Sequence, residues 1–125
     1  MIEQRKEVRF QTRAHAKLEG ADERKILVKD FSVTGCRIEY SDIGELELNT
    51  RYKLEIIPED DAKIGVFTLL VESKWIRIQS LGYEVGFAII ESPKGEFFQR
   101  YVDYLDWLSS RHNTKIENLP KKPPL

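Results

Sequence analysis

Apolar and polar residues alternate along most of this chain. Ala14, Ala16 and Leu18 alternate with Arg13, His15 and Lys17 over residues 12–18, and Cys36, Ile38 and Tyr40 alternate with Arg37 and Glu39. Tyr52, Leu54 and Ile56 do the same until Pro58 stops the run, and Tyr83, Val85, Phe87 and Ile89 form a last such stretch. A period of two places one set of side chains on each face of a strand, so each run predicts a half-buried strand. Residues 25–28 are apolar and extended in character. Residues 66–71 are apolar but for Thr68 and rich in β-branched side chains, which predicts a central strand buried on both faces, with residues 75–78 extending or following it. Turn signals at Gly20-Ala21-Asp22, Gly44 and Gly82 separate the runs. Six or seven short strands predict a small antiparallel β-barrel, because closure removes the exposed sheet edges.

The period changes after Ser92-Pro93, a pair suited to N-cap and first helical position. Phe97, Phe98, Tyr101, Val102, Leu105 and Leu108 then recur at three- and four-residue spacing, predicting one amphipathic α-helix to about Arg111. Its aromatic stripe is expected to pack on the barrel or plug one mouth. The expected organisation is a flexible basic arm over residues 1–11, a barrel with its helix over 12–112, and a disordered tail over 113–125, where Pro120, Pro123 and Pro124 stand beside Lys121 and Lys122.

With 125 residues the chain suffices for one core, and its net charge of -1 provides no global field for nucleic acid or a membrane surface. Charge is segregated instead. Through Arg13 the arm carries Arg5, Lys6, Arg9 and Arg13 against Glu3 and Glu7, a surplus of two, whereas residues 42–61 hold seven acidic residues against Arg51 and Lys53, net minus five. The acidic span reads most simply as a solvated face. Cys36 is the single cysteine, which excludes a disulfide framework and a cysteine zinc site and suits a reducing cytoplasm. The first ten residues contain no apolar h-region, and no apolar run reaches membrane-spanning length, so neither a signal peptide nor membrane insertion is expected.

The stretch DFSVTG, residues 30–35, lies between two strand-like runs and must reverse the chain. Gly35 tolerates positive φ and Asp30 can bond backbone N–H groups nearby, which suffices for a plain hairpin. Ser32 is surplus to that need. Two residues apart on an extended backbone, Asp30 and Ser32 leave the same face and can meet one small polar object, with Gly35 permitting close approach. Some twenty residues upstream, Arg5 and Arg9 stand four apart as RxxxR.

RxxxR in a basic arm, followed by DxSxxG at a strand end on a six- or seven-stranded barrel, resembles the PilZ domain family of bacterial cyclic di-GMP receptors. The resemblance runs from Arg5 to about Leu108 and includes a Val-rich strand ending near Trp75, the Gly86-Phe87 pair and the closing helix. It implies that Arg5 and Arg9 wrap over the ligand while Asp30, Ser32 and Gly35 form the floor. The chemistry is compatible: an arginine fork matches guanine O6 and N7 or grips a phosphate, and a carboxylate accepts from guanine N1–H and N2–H. Gln4 occupies a position where many family members carry a further arginine that favours a stacked ligand pair, which points to one ligand per chain. Trp75 is either core or a flank of the site. The implied output is ordering of the arm and an altered interaction with a protein effector, the chain being a monomer or weak dimer.

Other classes fit less well. His15 and His112 are the only histidines, neither is close in sequence to Ser32 or Cys36, and no metal spacing occurs, so neither an enzyme nor a bound cofactor is expected. Phe67, Trp75 and Phe87 lie in apolar runs rather than interleaved with basic residues, which argues against nucleic-acid binding. A nucleotide-independent PilZ-like adaptor remains the alternative.

Overall fold

The computed structural model describes residues 9–19, 26–40, 46–80, 82–91, 93 and 95–113. Among the described residues seven strands precede one α-helix: β1 (Phe10–Gln11), β2 (His15–Leu18), β3 (Ile26–Phe31), β4 (Gly35–Tyr40), β5 (Arg51–Ile57), β6 (Phe67–Gln79), β7 (Gly82–Glu91) and α1 (Phe97–Asn113), with a 3-10 turn at Asp60–Ala62 between β5 and β6. The sheet order is β1-β3-β2-β5-β6-β7-β4, and β3 also pairs with β4. That pairing closes six antiparallel strands into a barrel, with β1 as an extra strand on β3. The six barrel strands therefore form one closed system without open edges, and β1 lies outside that ring against β3.

The alternating residues explain the closure. Val28, Ile38, Leu54, Ile56, Leu69, Val71 and Val85 point inward and are fully buried. Each such side chain contributes about 1.5–3 kcal/mol on burial, so a one-residue slip in any strand would forfeit several of these contributions at once. At the end of β3, Phe31 is the centre of an aromatic cluster. Its ring lies 5.5 Å from Tyr101 and 5.9 Å from Phe98 of α1, and 6.3 Å from Phe67 of β6. The helix stripe thus seals the barrel beside the DFSVTG turn. The Tyr101 hydroxyl is bonded to Thr12 Oγ1 and donates to Glu59 at 2.7 Å, joining the helix to the residue that follows β1.

Several expectations need correction. The two apolar runs around residues 66–71 and 75–78 form one continuous strand of 13 residues, and its first half alternates rather than being buried on both faces: Phe67, Leu69 and Val71 are buried, while Thr68 is exposed and Leu70 half-buried. Barrel closure uses only the inner face, which an apolar run cannot reveal. The helix begins at Phe97 rather than at Ser92-Pro93, because Gly95 has φ +95° and breaks helical geometry just before it. It ends at Asn113. Phe10 and Gln11, expected in the arm, form β1 by pairing with Phe31 and Asp30. Residues 1–8 and the tail from residue 114 lie outside the described residues, as do Gln4, Arg5 and residues 41–45 of the acidic span. Among the described residues no helix is long and apolar enough to cross a membrane.

Candidate functional site

Residues from five strands form one row across the outer face of the barrel. Gln11 is paired with Asp30, Asp30 with Arg37, Arg37 with Gly86, and Gly86 with Trp75, running through β1, β3, β4, β7 and β6. A register shift between Val28 and Asp30 makes this row possible. Val28 and Phe31 are both buried although three residues apart, so the bulge at Lys29 turns Asp30 outward while returning Phe31 to the core. A second shift, between Ser73 and Trp75, does the same on β6: Ser73 is buried and Trp75 turns outward over Gly86.

Asp30 is the hub of the charges. Arg9 Nη1 lies 2.8 Å from its Oδ1 and Arg37 Nη2 lies 2.8 Å from its Oδ2, the carboxylate side chain being 13% exposed. Arg9 is placed there by register, since Phe10 pairs with Phe31 and so delivers the preceding residue to the mouth of the turn. Beyond Arg37, Glu84 is shared by Arg37 Nη1 at 3.5 Å and Arg77 Nη1 at 3.4 Å, and the Arg77 guanidinium stands 4.7 Å from the centre of the Trp75 ring.

Above this row opens a cleft of about 490 Å³, lined by Arg9, Asp30, Thr34, Gly35, Arg37, Lys74, Trp75 and the β7 segment at Gly86, Phe87 and Ala88, with Cys36 at its base. Among the described residues its charged lining is three cations, Arg9, Arg37 and Lys74, against one carboxylate, Asp30, a surplus of two positive charges. Such a surface favours a ligand carrying two negative charges, despite the protein's net charge of -1.

Ser32 does not stand where its spacing suggests. The strand ends at Phe31, so Ser32 does not share a face with Asp30; it is fully buried, and its hydroxyl receives the N–H groups of Thr34 and Gly35, both at 3.2 Å. It also donates to the Gly35 carbonyl at 3.3 Å. These bonds hold the turn in shape. Gly35 is required for a steric reason, since a Cβ there would stand 2.5 Å from the Phe87 carbonyl oxygen. Trp75 is 36% exposed and forms a wall of the cleft, not part of the barrel interior.

Magnitudes separate scaffold from site. Arg9 is 47% exposed in its side chain, and an ion pair of that kind contributes roughly 0–1 kcal/mol. Burial of Phe31 and the satisfied hydroxyl of Ser32 together contribute several times more. The shape of the turn therefore does not depend on the Arg9 ion pair. Cys36 offers no nucleophile here: burial pushes its thiol up to about 12, with opposing influences from Arg9 and Asp30, and at neutral pH it stays protonated.

Of the residues singled out in the sequence, Arg9, Asp30, Gly35 and Trp75 meet at this cleft, Ser32 lies beneath it, and Gln4 and Arg5 fall outside the described residues. Arg37, Lys74, Arg77 and Glu84 were not singled out. For Arg37, Arg77 and Glu84 the one available signal was a charged residue alternating with apolar neighbours, and Lys74, at a bulge between two runs, had none.

No curated protein matches the chain at a significant level. The PilZ domain family model matches residues 3–106, a span that contains all seven strands, the whole cleft and the first half of α1. By that match, and with the barrel and its closing helix as described, the chain belongs to the PilZ domain family.

Proposed function

We propose that this chain is a receptor for cyclic di-GMP that passes its occupancy to a protein effector. PilZ membership implies a cyclic di-GMP-binding receptor or adaptor role in general. The observation that carries the specific reading is the Arg9–Asp30 ion pair at the rim of a cleft with two surplus positive charges. In this pair each side chain supplies what the other lacks. A guanine offers both: O6 and N7 accept from the arginine fork, while N1–H and N2–H donate to the carboxylate. Binding is thus an exchange, in which one exposed ion pair is replaced by two sets of base contacts, and the two phosphates meet the excess positive charge. Trp75 provides an aromatic wall against which a purine can stack.

Arg5 is assigned the same role as Arg9 from the motif. Drawing residues 1–8 over the ligand costs roughly 1–2 kcal/mol for each residue fixed, so both arginines are needed to leave net affinity. The signal has a route outward: Thr12, three residues beyond Arg9, is bonded to Tyr101 of α1, so a shift of the arm is felt at the helix. The protein performs no bond-breaking step.

Titration calorimetry with cyclic di-GMP tests this reading. Saturable binding of one ligand per chain, unaffected by excess GTP, is expected; two per chain would mean that Gln4 does not prevent stacking. Absence of binding by calorimetry and by a second method would leave the nucleotide-independent adaptor in its place.

A further inference from the structure

Arg37 stands outside both sequence motifs, yet it ties Asp30 to the rest of the barrel. Its Nη2 holds Asp30 Oδ2 and its Nη1 faces Glu84 Oε1, so one guanidinium spans the carboxylates of β3 and β7 from the strand between them. Glu84 is a firm anchor, its side chain only 7% exposed and braced on its far side by Arg77. Glu39, which lies opposite Glu84 in the β4–β7 register, is taken up by Lys29 at 3.1 Å and does not compete for Arg37. The Arg37 Nε is buried and has no hydrogen-bond partner among the described residues. Full satisfaction of its own donors therefore does not dictate where this side chain sits; the two carboxylates do.

We infer that Arg37 is the positioning residue for guanine selectivity: it keeps Asp30 in place when Arg9 leaves it for the ligand. This inference rests on the receptor reading above. The terminal torsion of an aspartate is soft, so a carboxylate held by one arginine alone follows that arginine or turns toward water. With Oδ2 fixed by Arg37, departure of Arg9 exposes Oδ1 in a set direction, ready to accept from the N1–H and N2–H edge of a guanine. Selectivity for that edge then depends on a residue that touches Asp30 and need not touch the base.

Cyclic di-GMP and its inosine analogue, cyclic di-IMP, test this. The two differ only in the exocyclic amine, so O6, N7 and both phosphates present the same groups to Arg9, and the ratio of affinities reads the carboxylate contact. The unaltered protein is expected to prefer cyclic di-GMP by about tenfold to a hundredfold. In Arg37→Gln the preference should fall to within about threefold, chiefly through weaker cyclic di-GMP binding, and Arg37→Lys should recover part of it. Arg9→Ala should abolish binding of both ligands alike. An Arg37→Gln protein with undiminished preference, or one that loses both ligands by the same factor, overturns the assignment while leaving the receptor reading intact. Failure of the unaltered protein to bind either ligand overturns both. If Arg37→Gln does not fold, Glu84→Gln, which removes the other anchor of Arg37, is read by the same ratio.

Discussion

A Cβ built on Gly86 would stand 2.2 Å from Cε2 of the Trp75 indole, so the tryptophan can lie where it does only because the residue beneath it has no side chain. The pair joins two neighbouring strands at the wall of the cleft. In Gly86→Ala the indole must move, and because it is 36% exposed it can swing outward rather than distort the barrel. A stability loss of about 1–3 kcal/mol is expected, together with weaker ligand binding and a red shift in tryptophan emission. Urea titration followed by fluorescence reads all but the affinity; unchanged emission would show that the indole is not held by this contact.

Ser32→Ala separates scaffold from ligand contact. The hydroxyl is buried and serves the N–H groups of Thr34 and Gly35, so its loss takes this acceptor from the buried Gly35 N–H. The variant should lose about 1–3 kcal/mol in urea unfolding without any ligand present. Wild-type stability combined with lost binding would instead assign Ser32 to the ligand.

Arg9→Ala should behave in the opposite way. The exposed pair with Asp30 contributes at most about 1 kcal/mol, so the unfolding midpoint should scarcely change. Cyclic di-GMP binding should be abolished in calorimetry. Micromolar or better affinity in this variant would sink the arm mechanism.

Alkaline pH should weaken the fold in two stages. Burial raises the Cys36 thiol from 9.0 to about 12 in the folded protein, so the folded state retains a proton that the unfolded chain releases. The stability involved is complete below pH 9 and declines as pH rises toward 12, with a slope of up to about 1.4 kcal/mol per pH unit. Tyr101 is also raised, first by burial and then by Glu59 against the lowering effect of the Thr12 bond, and it adds to the decline above about pH 10. Cys36→Ala should be less stable at pH 7 yet show a flatter decline between pH 9 and 10. Urea midpoints across that window measure the difference, and parallel curves for the two proteins would refute the assignment.

The alternating runs and the change of period before α1 are local, so the sequence by itself determined that this is a barrel with a closing helix, whereas the grouping of Arg9 with Asp30 and Gly35 was implied only by the resemblance of RxxxR and DxSxxG to the family's motifs. Alternation assigns faces only while a strand stays regular. The bulges at Lys29 and Lys74 each shift it, which is why Asp30 turns outward and Trp75 leaves the interior, and Ser32 goes beneath the turn because β3 has already ended at Phe31. Nothing local encodes which residue stands opposite which across five strands. The row from Gln11 through Asp30, Arg37 and Gly86 to Trp75, and the hold of Glu84 on Arg37, were decided by tertiary structure alone, because cross-strand register follows from closing the whole barrel around one buried face.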